Sequence, residues 1–109
     1  FRRVLFRSVV VPRTARLDEI IAIRTLISHP METGLRLNQF NTWIPLRIVE
    51  EFTCSFEGRE ILRVRPYPAI ATNPYFAFHD RMRGRGVYEF RWFDTDGSVY
   101  ANSAAIDLA

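Results

Sequence analysis

Apolar positions along this chain recur every second residue, and the alternation is cleanest from Val87 to Asp94. There Tyr88, Phe90 and Trp92 share one face and Val87, Glu89 and Arg91 the other, the period of a strand that buries its aromatic side. Ile48 to Phe56 alternates in the same way, with Phe52, Cys54 and Phe56 set against Glu51, Thr53 and Ser55. A turn at Glu57 and Gly58 leads into Ile61 to Arg65, where Leu62 and Val64 face inward and Arg63 and Arg65 outward, which completes a hairpin. The run Asp94, Thr95, Asp96, Gly97 is a second hairpin signal, with Val99 to Leu108 as its returning strand. Glu19 to Ile27 is different, because its β-branched and aliphatic residues follow one another and predict a central strand buried on both faces. Val9 to Val11 reads as a short edge strand, Pro12 to Asp18 as a connection, Tyr75 to His79 as a further strand and Arg81 to Gly86 as a loop. About seven short strands separated by turn signals predict an all-β protein, an immunoglobulin-like antiparallel β-sandwich.

The breaks in this pattern carry the chemistry. Pro30 removes a backbone donor and pushes His29 into an extended conformation, while Gly34 permits a positive φ where the chain turns. Pro66 and Pro68 stop the strand before them, Ala69 to Thr72 is a short link, and Asn73 and Pro74 form a turn. Leu35 to Pro45 reads as an irregular crossing, yet Phe40 and Trp43 give it more apolar surface than a free loop keeps in water. Met31, Phe40 and Trp43 in connections, and Tyr75 and Phe76 after a turn, point to a surface covered by a partner. The candidate interface is therefore His29, Pro30, Met31, Glu32, Thr33 and Gly34, with Asn73, Pro74, Tyr75 and Phe76.

Charge changes the picture less than it first promises. The formal charge is +3 from 15 basic and 12 acidic residues, and every basic residue is Arg. Phe1 to Ser8 matches the translated end of a common sequencing-library adapter, which marks residues 1–8 as non-native and 9–109 as the domain. Without Arg2, Arg3 and Arg7 the basic count falls from 15 to 12 and balances the 12 acidic residues, so the nucleic-acid signal disappears. Arg81, Arg83 and Arg85, around Gly84 and Gly86, read as a solvated turn. No apolar run approaches the roughly 18 residues a membrane-spanning helix needs. Nucleic acid and membrane are thus not expected as partners.

Catalytic and metal chemistry find little to stand on. Cys54, alone of its kind, lies mid-strand on an apolar face, where burial raises a thiol's pKa and blocks access. Glu50 and Glu51 point to opposite faces and cannot act as a carboxylate pair. His29, Cys54 and His79 include the ligand types of a blue-copper site but are scattered along the chain, and two His fall short of the four His and one Cys of a superoxide-reductase iron site. No enzyme activity and no cofactor are expected. A stand-alone metal-binding electron carrier is the alternative reading.

Particular motifs resemble the SoxZ family, the smaller subunit of the SoxYZ sulfur-compound carrier of thiosulfate oxidation. They are Arg24 to Gly34, Ile44 with Pro45, Phe56 to Gly58, Pro68 to Phe78, and Phe90 to Tyr100, in a likeness running from Val9 to the C-terminus. Where the family pattern is polar with a Gly or Asp turn, this chain carries Phe40 and Trp43. The resemblance implies a non-catalytic subunit that pairs with SoxY, whose C-terminal Gly-Gly-Cys-Gly-Gly arm bears the sulfur intermediate, and that makes transient contacts with other Sox enzymes. It also implies a periplasmic location reached together with the partner.

Overall fold

Eight strands and no helix make up the described residues of the structure, a computed structural model that describes residues 7–28, 35–44, 48–66 and 75–109. They are β1 (Arg7–Val10), β2 (Thr14–Ala15), β3 (Ile20–Ile27), β4 (Val49–Phe56), β5 (Arg59–Val64), β6 (Tyr75–Arg81), β7 (Gly86–Asp94) and β8 (Val99–Leu108). A three-stranded sheet has the order β1-β3-β6 and a five-stranded sheet the order β2-β8-β7-β4-β5. This is the expected immunoglobulin-like sandwich, with one parallel pairing, β2 on β8, inside the segment expected to be a plain connection.

Inward side chains of the two sheets form a single core. Ile21, Ile23, Thr25 and Ile27 of β3 meet Val49, Phe52 and Cys54 of β4, Tyr88, Phe90 and Trp92 of β7 and Ile106 of β8. Phe52 occupies the centre, its ring tilted on Trp92 with centroids 5.4 Å apart. Such aromatic contacts add about 1 kcal/mol each to the area they bury.

Each hairpin is closed by the chemistry its sequence announces. Glu57 (φ 48°) and Gly58 (φ 80°) both adopt positive φ, the two-residue turn whose twist matches antiparallel strands. Glu57 is then tied to β7: its N–H donates to the Val87 carbonyl at 3.1 Å and its carboxylate accepts from the Val87 N–H at 2.8 Å. In the second hairpin Asp94 is buried, and its Oδ1 accepts from the Asp96 N–H at 3.0 Å and from the Thr95 hydroxyl at 3.2 Å.

Four expectations are corrected. β3 is buried on one face only, because Ile20, Ala22 and Arg24 are exposed while their alternates are buried. Its apolar run was read as two-sided because an exposed Ile or Ala looks like a core residue in sequence. Thr53, expected to face outward, is buried; it lies in register between Arg63 and Arg91, and long Arg stems flanking a small residue shield it from water. The stretch from Arg81 to Gly86 is less of a loop than expected, as β6 runs through Arg81 and Met82 is fully buried. The N-terminal edge strand begins earlier than Val9: Arg7 and Ser8 pair with Ile27 and Leu26. Backbone pairing of this kind makes no demand on side-chain identity.

Candidate functional site

Of the ten interface residues expected from sequence, His29 to Gly34 and Asn73 to Pro74 lie outside the described residues. What flanks them is described. β3 ends at Ile27 and β6 begins at Tyr75, and the register pairs Leu26 with Tyr75, so the chain leaves and re-enters the sheet at the same end. Tyr75 points outward and is exposed, whereas Phe76 turns inward and stacks on Phe52 with centroids 4.7 Å apart and planes 6° from parallel. Phe76 is therefore a member of the core rim, a correction that alternation along β6 explains: adjacent residues of a strand cannot both face a partner.

Residues 35–44 form an ordered turn. Leu37 bridges Trp43, the Asn38 N–H donates to the Thr42 carbonyl at 2.9 Å, and the Asn38 side-chain oxygen accepts from the N–H groups of Phe40 (2.8 Å) and Thr42 (3.0 Å). Asn41 takes the positive φ of 63° that closes it. This framework holds its apolar side chains out in solvent: Leu35 is 81% exposed, Phe40 76% and Trp43 62%. A free loop with that surface gains by collapsing onto the domain, yet the hydrogen-bonded turn keeps it exposed.

The outer faces of the two sheets contrast sharply. On the five-stranded sheet, cations are answered by carboxylates: Arg63 and Arg65 pair with Glu51, Arg63 also with Glu60, Arg91 with Glu89, and Arg85 with Asp107. On the three-stranded sheet, register places Val10, Ile20, Ala22, Arg24, Leu26, Tyr75, Ala77, His79 and Arg81 on one outer face. No described residue of that face is a carboxylate, and among the described residues Arg24 and Arg81 have no ion-pair partner. Sequence reasoning missed this face, although Ile20, Ala22, Arg24 and Leu26 at alternate positions were the signal.

Between the sheets lies a polar cluster. The Tyr88 hydroxyl donates to Asp80 Oδ2 at 2.8 Å, and Arg83 holds the same carboxylate through two contacts of 2.9 and 3.2 Å. Burial, then the Asp80 hydrogen bond and charge, raise the Tyr88 pKa well above the ordinary phenol. The Cys54 thiol is pushed up to about 12, chiefly by burial and then by the Asp80 charge. A thiol so protonated is a poor nucleophile at neutral pH. Cys54 lies between the sheets while His79 faces solvent from β6, so these two members of the alternative metal set are not brought together, and His29 lies outside the described residues. Among the described residues no group of three His, Cys, Asp or Glu side chains could hold a metal ion.

Comparison with known proteins follows the same lines. The family model "Sulphur oxidation protein SoxZ" matches residues 9–105. No curated protein sequence matches the chain. Among solved structures, the superoxide reductase (neelaredoxin) from Ignicoccus hospitalis superposes with a TM-score of 0.75 at 16% identity, covering 94% of this chain and 80% of that one. The sulfur carrier protein SoxY from Chlorobium limicola f thiosulfatophilum gives 0.68 at 10% identity, covering 94% and 78%. At these identities the likeness is one of fold.

Proposed function

Because the chain belongs to the SoxZ family of sulphur oxidation proteins, we propose that it is a non-catalytic subunit that pairs with a SoxY-like carrier, whose cysteine arm bears the sulfur intermediate. In this reading the chain covers apolar surface beside the arm and helps present it to the oxidising enzymes, and the pair works in the periplasm after joint export. The observation that carries it is the ordered turn of residues 35–44, which holds Leu35, Phe40 and Trp43 in solvent by its own hydrogen bonds. Apolar side chains fixed outside a core are the anchors of protein interfaces, and truncating such an aromatic costs about 2 kcal/mol of binding or more.

The test is the mass of the species formed when this chain is co-expressed with a SoxY homologue. A one-to-one complex is expected, and the Phe40→Ser/Trp43→Ser variant should weaken it by at least about thirtyfold, the equivalent of about 2 kcal/mol for one anchor alone. A chain that stays monomeric beside several SoxY homologues would rule the reading out.

A further inference from the structure

Resting on the partner reading above, we propose that the outer face of the β1-β3-β6 sheet receives the SoxY-like subunit, and that the patch docking there is acidic. Arg24 stands at the middle of this face, in register between Val10 and Ala77, and Arg81 lies in register with Ile20 at its end. Burying a guanidinium among apolar neighbours is favourable only when a carboxylate or equivalent acceptor meets it, and none of the described residues of the face supplies one. Among the described residues nothing answers these charges, and in the proposed complex the acid comes from the partner. Ala22 and Ala77 keep the centre of the face low, so a partner backbone can approach closely there.

Three features favour this occupant over others. Tyr75, already a candidate contact, belongs to the face and sits at the end of β3 and β6 where the chain runs in sequence to the other candidate residues. A second copy of the chain docking through the same face would bring cation against cation, which costs free energy in an isologous contact. A lipid surface is a poor match, because two Arg contribute only about 1 kcal/mol each near an anionic membrane. Seven residues of β6 across three strands span about 330 Å² in projection, below the roughly 800 Å² a standard interface covers on one partner. The face is thus part of the contact surface, and altering it should weaken the complex without abolishing it.

The experiment titrates the SoxY homologue against the full chain at low and moderate salt, using Arg24→Glu/Arg81→Glu, Arg24→Gln/Arg81→Gln and Ala77→Trp. All three sites are exposed, and unchanged thermal unfolding confirms that each variant folds. Charge reversal should weaken binding by about tenfold or more and the glutamine pair by less, with a flatter salt dependence, while Ala77→Trp weakens it at every salt concentration. Wild-type binding that all three variants retain overturns the proposed face and leaves the partner reading standing. No wild-type binding removes both. Arg24- and Arg81-dependent sedimentation with phosphatidylglycerol vesicles, or a dimer of the chain alone that Ala77→Trp dissociates, would assign the face to lipid or to self-association and overturn the proposal.

Discussion

Cys54 and Tyr88 are both held protonated by their surroundings, and this makes the fold sensitive to alkali. In the unfolded chain the thiol ionises near 9.0, whereas in the core it is pushed up to about 12, and the Tyr88 phenol is raised as well by burial and its bond to Asp80. As pH rises the unfolded state releases these protons first, so stability present in full below about 9 is lost between about 9 and 12. Alkaline unfolding followed by circular dichroism should show that fall. Cys54→Ala should flatten part of it at the cost of about 1 kcal/mol near neutral pH, since one small buried group is removed. Tyr88→Phe should flatten a further part and destabilise the fold by about 1–3 kcal/mol at neutral pH, because half-buried Asp80 loses its phenol donor. A pH profile unchanged in the double variant would show that other groups set the alkaline limit.

At the scale of elements, the hairpin of β4 and β5 shows how a three-residue motif can be legible in sequence for reasons that only packing reveals. Phe56, Glu57 and Gly58 announce a turn, and the turn forms with the positive φ that Gly58 permits. The sequence does not show that Phe56 lies across Gly86 of β7, where an added Cβ would meet its ring at 2.6 Å, or that the same ring packs on Tyr88 at 4.8 Å. Gly86→Ala should therefore destabilise the domain by about 1–3 kcal/mol, measurable by urea unfolding, whereas the same change in a loop costs little. β7, whose alternation is strict, was legible because one face is more solvated and the other buried, whereas in β4 the buried Thr53 breaks the pattern. β3 was misread because Ile20 and Ala22 are outward residues of core type, so Arg24 alone punctuated its exposed face. The short parallel strand at Thr14 and Ala15 lacked any local signal, since its pairing with Asp107 and Leu108 is set by chain ends far apart in sequence. The part-buried hydrogen bond of Tyr88 to Asp80 is non-local in the same sense, joining one sheet to the other.

For the molecule as a whole, the proposed docking would draw on the same short segment that serves folding, with adjacent residues dividing the work. The two sheets meet where Phe76 of β6 stacks on Phe52 of β4, and one residue earlier Tyr75 faces away from the core beside Leu26. Phe76→Ala should cost about 2 kcal/mol, less than a fully buried Phe because the ring is only half buried, and lower the unfolding midpoint by about 10 °C for a domain of this size. Tyr75→Ser should shift the midpoint by no more than about 2 °C, since its ring leaves solvent only when a partner arrives, and its effect should appear in the affinity for the SoxY-like subunit. Thermal unfolding and partner titration on both variants separate the two roles. If Phe76→Ala kept its midpoint and lost only partner binding, the inner and outer faces of β6 would have to be exchanged, and with them Arg81 and Asp80: the acid would face the partner and the cation the core. The hydrogen bond from Tyr88 to Asp80 ties β7 to the inner face of β6 and fixes the opposite assignment. The two variants should therefore diverge, one in stability and the other in affinity.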